Sequence, residues 1–264
     1  MWHKKLFAPL VLPIHCFAAA ILIGAGLLCQ PLSCAGKTVS FLDALFTATS
    51  AACVTGLVVV DTGATFTRFG QTVILALIQL GGLGIMTFST LIFYLWRRRV
   101  SLADHIAVGQ SLLHDASFHL GRFLTRMAVV TAIIEAVGAL CLYLFDPVGF
   151  APFSAVFHSV SAFCNAGFGL FPDNLMAYAG HPGVNAVIMW LIISGGLGFA
   201  VLIEGYRVFR SRLWGEGRLA GRHLPLSWYA RTVFAVSAFL ILAGAAMIFC
   251  GEFLGGRYPE LGFA

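Results

Sequence analysis

Charge is what this 264-residue chain has least of. Asp, Glu, Lys and Arg together make 10% of it, hydrophobic residues make 59%, and the mean hydropathy is +0.92. A soluble domain carries about a quarter of its residues charged, so this composition describes an integral membrane protein. Metal-site spacing is also lacking. The seven cysteines form no CxxC pair, and no two of the eight histidines stand four apart. No nucleophile–base set and no phosphate-binding glycine loop appears, which argues against an enzyme and against a bound cofactor. Most of the cysteines, among them Cys16, Cys141 and Cys250, lie in or beside apolar runs and read as small packing residues. Cys29 and Cys34 could pair outside the membrane, but their spacing does not require it.

The net charge of +5 has the sign that suits nucleic acid, but its placement argues against such a partner. Lys4 and Lys5 precede the first apolar run. Arg97, Arg98, Arg99, Arg122 and Arg126 sit near the middle of the chain, and a third group runs from Arg207 to Arg231. Only Lys37, Arg68 and Arg257 of the 16 basic residues fall elsewhere. Basic residues at membrane edges mark the cytoplasmic side. The pattern therefore predicts a multi-pass protein of the cytoplasmic membrane with its N-terminus inside, lipid as its first partner and no nucleic acid.

The most informative stretch is residues 44–88. A short apolar segment over residues 41–53 leads into Val54-Thr55-Gly56, a polar connector with Asp61 and Arg68 follows, and a longer apolar run carries Gly81-Gly82-Leu83-Gly84. As a helix the first segment is roughly 20 Å long, too short for a hydrocarbon core of about 30 Å. A half-length helix, a turn and a full helix describe a re-entrant pore loop. Non-helical backbone at that depth survives only when buried in protein or lining water, so the turn at Gly56 is expected to face an aqueous path. Ser40 and Asp43 fit a helix-start pattern. The helix then points its C-terminal end inward, where its partial negative charge favours a cation.

The stretch occurs twice. FLDALFTATSAACVTGL aligns with PFSAVFHSVSAFCNAGF at an offset of 111, from Ala44 to Ala155 and from Gly56 to Gly167. The cluster Gly81, Gly82, Gly84 returns as Gly195, Gly196, Gly198, at an offset of 114. These six glycines are expected to let neighbouring helices approach. An internal repeat that keeps both the turn and the cluster sets the architecture. It is an all-α membrane protein of tandem helix–pore-loop–helix units, two complete, plus one further helix. Five spans are expected, over residues 6–28, 69–96, 120–145, 184–206 and 226–250. The units are residues 1–96 and 122–207, joined by a cytoplasmic linker at 97–121. A basic linker at 208–225 leads to residues 226–264, the first helix of an incomplete third unit. Asp104, His105, His114, Asp115 and His119 in the first linker read as a solvated face. Glu135, at the centre of the third span, is a functional candidate by its position. It reads more simply as a carboxyl bonded to a neighbouring helix. Gln79 and Thr87 either face the pore or bond a neighbour.

TATSAACVTGLVVVDTG followed by FGQTVILALIQLGGLGIMTF resembles the Trk/Ktr/HKT superfamily of potassium transporters. FHSVSAFCNAGFGLFPDNLM with its later GGLGF is similar to that family's second repeat, and HLPLSWYARTVF to the opening of its third. The start directly at the first repeat looks most like the Ktr-type membrane subunits. The resemblance implies four pseudo-repeats around one axis. Val54, Thr55 and Gly56, with Asn165, Ala166 and Gly167, would then be two quarters of a selectivity filter whose carbonyls replace the hydration shell of potassium. It further implies potassium as the substrate, sodium as a candidate co-ion, a second membrane subunit and a cytoplasmic ring of nucleotide-binding regulators. Relative to the family pattern, the third pore loop and the fourth repeat are missing from these 264 residues, leaving half a filter. The competing expectation is a truncated remnant that inserts without conducting.

Overall fold

The computed structural model describes residues 12–36, 38–84, 120–214 and 226–252. Every element named in them is helical apart from an isolated bridge between Cys34 and Phe66. The first repeat holds α1 (Leu12–Leu28), α2 (Phe41–Ala52), the single turn α3 (Thr62–Thr65) and α4 (Arg68–Gly82). The second holds α5 (Leu120–Phe145), α6 (Pro152–Phe163) and α7 (Pro182–Gly196). Two compact units divide after Gly196, and the second contains α8 (Phe199–Trp214) and α9 (Trp228–Glu252).

The two half-length helices start by different chemistry. At α2, the Ser40 hydroxyl accepts the Asp43 N–H at 3.1 Å and donates to the Asp43 carboxylate at 2.7 Å, closing the expected cap. At α6, Pro152 takes the first position, where a missing N–H costs nothing and φ is already helical. Each helix has 12 residues, about 18 Å. Ala44, Ala48, Ala51 and Ala52 line the buried face of α2, and their small side chains let α1 and α4 pack closely on it. The flanking helices cross at one place in both repeats. A Cβ on Gly24 would lie 2.7 Å from the Leu77 side chain, and one on Gly138 2.7 Å from Leu191. Between the repeats α4 rests on α6, and the Arg68 guanidinium lies 4.5 Å from the Phe153 ring centroid.

The outer connections are tied to the helix that follows them. Gln71, in the first turn of α4, donates through Nε2 to the carbonyls of Gly63 and Phe66. Asn185, in the first turn of α7, donates through Nδ2 to those of Tyr178 and Ala179. In the shorter link between α5 and α6, the Asp146 carboxylate accepts the Val148 and Gly149 N–H groups and the Tyr178 hydroxyl. The Gly149 amide and then the Tyr178 hydroxyl hold the Asp146 carboxyl below the usual carboxylate range. Desolvation and then its Asp146 partner push the Tyr178 phenol up to about 12. Cys29 and Cys34 are both free thiols.

The spans differ in detail from the sequence reading. By length and composition, Thr125–Phe145 and Trp228–Gly251 are long and apolar enough to cross a membrane. On α9, Trp228, Phe239, Leu242 and Met247 are all exposed, as side chains meeting lipid would be. The run expected over residues 184–206 is not one helix. It divides into α7 and α8 at Leu197-Gly198, where Gly198 takes a φ of +85°. α4 likewise ends at Gly82, and Gly84 also has a φ of +85°. A left-handed residue cannot continue a right-handed helix, and glycine adopts it without a Cβ clash. Gly84 and Gly198 therefore follow the ends of α4 and α7, a conformational role that the sequence reading did not assign them. Thr87, Arg97–Arg99 and the histidine-bearing linker lie outside the described residues. Within the second unit, Glu204 of α8 accepts the Ser227 amide and hydroxyl, and the Ser227 hydroxyl accepts the Ala230 N–H, which caps α9.

Candidate functional site

Each half-length helix runs into a turn with the same backbone. Cys53, Val54 and Thr55 donate their amides to the carbonyls of Thr49, Ala51 and Ser50. Cys164, Asn165 and Ala166 donate theirs to Val160, Ala162 and Ser161. Val54 has a φ of +56° and Gly56 of +79°, and Asn165 has +59° and Gly167 +72°. Two left-handed residues separated by one thus recur at both turns. Asn tolerates that region, but a β-branched residue rarely occupies it, and backbone strain of this kind costs of order 1–3 kcal/mol. Strain repeated at matching positions is what a site needing carbonyls in set directions would retain.

The turns meet. A Cβ on Gly56 would stand 2.6 Å from the Ala166 carbonyl oxygen and 3.2 Å from the Gly167 Cα, and one on Gly167 would stand 3.3 Å from the Gly56 Cα. Thr55, Asn165 and Gly167 are exposed, and Ala166 is buried. The six expected filter residues therefore lie in two turns that meet, each at the C-terminal, partially negative end of its helix.

Of the six clustered glycines, three make close approaches. A Cβ on Gly81 would come within 2.1 Å of the Ala52 carbonyl oxygen, on Gly82 within 2.2 Å of Cys164 Sγ, and on Gly195 within 1.7 Å of the Phe163 carbonyl oxygen. So α4 and α7 each pass against the C-terminal end of a half-length helix, just before its turn. Around Gly196, the counterpart of Gly82, nothing stands within 4 Å among the described residues.

A polar group joins the repeats beside the second turn. Gln79 Nε2 of α4 donates to the Glu135 carboxylate of α5 at 3.3 Å, and Cys164 Sγ lies 4.0 Å from Gln79 Oε1. Ser159 donates to the Glu135 backbone carbonyl at 2.7 Å. The second Glu135 oxygen is buried without a partner among the described residues. Gln79 thus bonds a neighbouring helix, one of the two possibilities left open for it.

Sequence reasoning passed over the side chains that brace the second turn. The Ser161 hydroxyl donates to the Phe168 carbonyl at 2.6 Å. The Leu170 amide donates to His158 Nε2 at 3.2 Å, so that nitrogen carries no proton, and Nδ1–H donates to the Ser154 carbonyl at 2.8 Å. His158 also stacks on Phe171 at 4.7 Å. Asn174, with a φ of +54°, donates through Nδ2 to the Gly167 carbonyl at 3.2 Å. One signal was available. His158 occupies the place of Thr47 in the repeat, an aromatic base where a small hydroxyl stood.

A family model described as TrkH, a cation transport protein, matches residues 19–216, which covers both turns and both glycine clusters. The chain belongs to the TrkH cation transport family. The Ktr system potassium uptake protein B of Bacillus subtilis is 46% identical over 200 residues, which is 74% of this chain and 44% of that protein. The protein of the same name from Vibrio alginolyticus is 40% identical over 199 residues, 74% of this chain and 43% of that protein. The potassium/sodium uptake protein NtpJ of Enterococcus hirae is 34% identical over 255 residues, 94% of this chain and 54% of that protein. The chain spans about half the length of these TrkH-family relatives, which are by name uptake proteins and not enzymes.

Proposed function

We propose that this chain forms half of a potassium-conducting path through the cytoplasmic membrane, with residues 54–56 and 165–167 as two quarters of its selectivity filter. One observation carries the reading. Gly56 and Gly167, both left-handed, meet at the inner ends of two half-length helices. Left-handed residues at 54/56 and 165/167 give both turns the same backbone, which supports carbonyls shared between them, and the helix ends behind them add negative potential. Carbonyl oxygens can then replace the hydration shell of a dehydrated potassium ion. The variation of side chain between the turns fits coordination by the backbone. The names of the relatives support potassium as the cargo, and that of the Enterococcus hirae protein brings in sodium.

The basic clusters support a topology with the N-terminus and both linkers inside, in which both pore loops enter from outside. The relatives' description as parts of a Ktr system supports work with other subunits. A second membrane subunit and a cytoplasmic nucleotide-binding ring are the partners proposed.

Two turns surround only part of an ion, and partial dehydration without replacement oxygens is unfavourable. Expressed as these 264 residues in cells lacking their own potassium uptake, the chain is expected to give no potassium-selective rubidium uptake. Fused to the C-terminal half of the Bacillus subtilis relative, it is expected to restore it. Selective uptake by the unfused chain, or none by a well-expressed fusion, contradicts the reading.

A further inference from the structure

We propose that Asn174 is a specificity-determining residue, which holds the Gly167 carbonyl from the outer mouth and so sets how well the second turn rejects sodium. This rests on the reading of residues 165–167 as part of the filter. Asn174 is exposed, seven residues beyond Gly167, and its left-handed backbone aims the side chain back at the turn. Asparagine is among the few residues that take this conformation readily. Its Nδ2 reaches the Gly167 carbonyl at 3.2 Å. Gly169 makes room for it, because a Cβ there would stand 2.8 Å from Asn174 Oδ1.

Ser161 and His158 brace the Phe168 carbonyl and the Leu170 amide, and Asn174 holds the Gly167 carbonyl. A cavity of about 280 Å³ opens there, lined by His158, Ala162, Asn165, Asn174, Ile188 and Ile192. The amide of Asn174 ties the Gly167 carbonyl at the rim of this cavity. A carbonyl oxygen has two lone pairs. One receives the amide, and the other is left for a cation. Discrimination between potassium and sodium depends on the field of the carbonyl dipoles and on how far they can close on the smaller ion. A tethered carbonyl follows sodium inward less readily than a free one. The outer connection after the first turn carries Asp61, whose carboxylate accepts from the amides of Gly63 and Ala64. That side chain accepts from amides and has no N–H donor with which to tether a carbonyl.

The test uses the fusion described above, with rubidium uptake measured against rising sodium. Asn174→Gly keeps the left-handed backbone and removes the donor. Gly169→Ala leaves Asn174 in place but pushes its amide aside, which affects a flexible side-chain end and not the fold. Both variants are expected to take up rubidium at normal protein levels, with sodium inhibiting about three- to tenfold more strongly. Asp173→Asn, one residue away, is expected to behave as the unsubstituted fusion. Unchanged sodium inhibition in both variants overturns the proposal and leaves the filter reading standing. An unsubstituted fusion that is well expressed but without selective uptake overturns the filter reading, and this proposal with it. If Asn174→Gly expresses poorly, Gly169→Ala alone decides.

Discussion

From residues 49 to 56 and from 160 to 167 the backbone repeats bond for bond, down to the left-handed pair that ends each turn. The side chains around that backbone do not repeat. Ser161 ties down the Phe168 carbonyl, while the Ser50 hydroxyl, at the same place in the first repeat, is buried without a partner among the described residues. Thr47 bonds the Asp43 carbonyl within its own helix, whereas its counterpart His158 reaches the outer loop at Leu170. Gln79 and Glu135 bond each other where the opposite repeats carry Ile193 and Ile21. What the repeats share is the main chain that would face an ion. What differs is how each turn is supported and joined to its neighbour.

The helix faces that flank the turns offer the largest effect. Gly82 and Gly196 hold equivalent positions, but among the described residues a Cβ meets Cys164 at the first and nothing at the second. Gly82→Ala is expected to cost about 1–3 kcal/mol through overpacking against the second turn. Gly196→Ala should stay within about 0.5 kcal/mol of the parent, as substitutions into open space do. Thermal unfolding in detergent measures both, and equal losses would remove the distinction between a filled and an open face.

A comparable effect is expected at the polar junction, where each repeat can be given the other's residue. Gln79→Ile leaves a buried carboxylate oxygen without its donor and is expected to cost about 1–3 kcal/mol. Adding Glu135→Ile removes the stranded group and should recover much of that loss, because neighbours in contact are not additive. The same unfolding measurement on single and double variants checks this. A double variant as unstable as the sum of the two singles would mean that the pair is not coupled.

How much of this was legible in the sequence varies by residue. The repeat, the half-length helices and the Ser40 cap follow from patterns of period and capping that act locally. Gly56 and Gly167 were legible because glycine marks unusual backbone. Val54 was not, since a β-branched residue gives no sign of a left-handed φ. Only the asparagine at its counterpart, Asn165, could have pointed there. The helix-ending role of Gly84 and Gly198 was not legible, because packing glycines and helix-ending glycines have one composition and differ only in φ. The ties from His158, Asn174, Gln71 and Asn185 run across loops, and loop geometry is not written in periodicity.

The most direct test of the central reading is the sodium sensitivity of rubidium uptake by the fusion carrying Gly56→Ser or Gly167→Ser. A Cβ at either position collides with the opposite turn or strains a left-handed residue, so the carbonyls on both sides must move. If these turns form the filter, each substitution weakens the preference for potassium over sodium, although the substituted residue's own side chain takes no part in coordination. Unchanged preference in both variants, at normal protein levels, would contradict the assignment of residues 54–56 and 165–167 to the ion path.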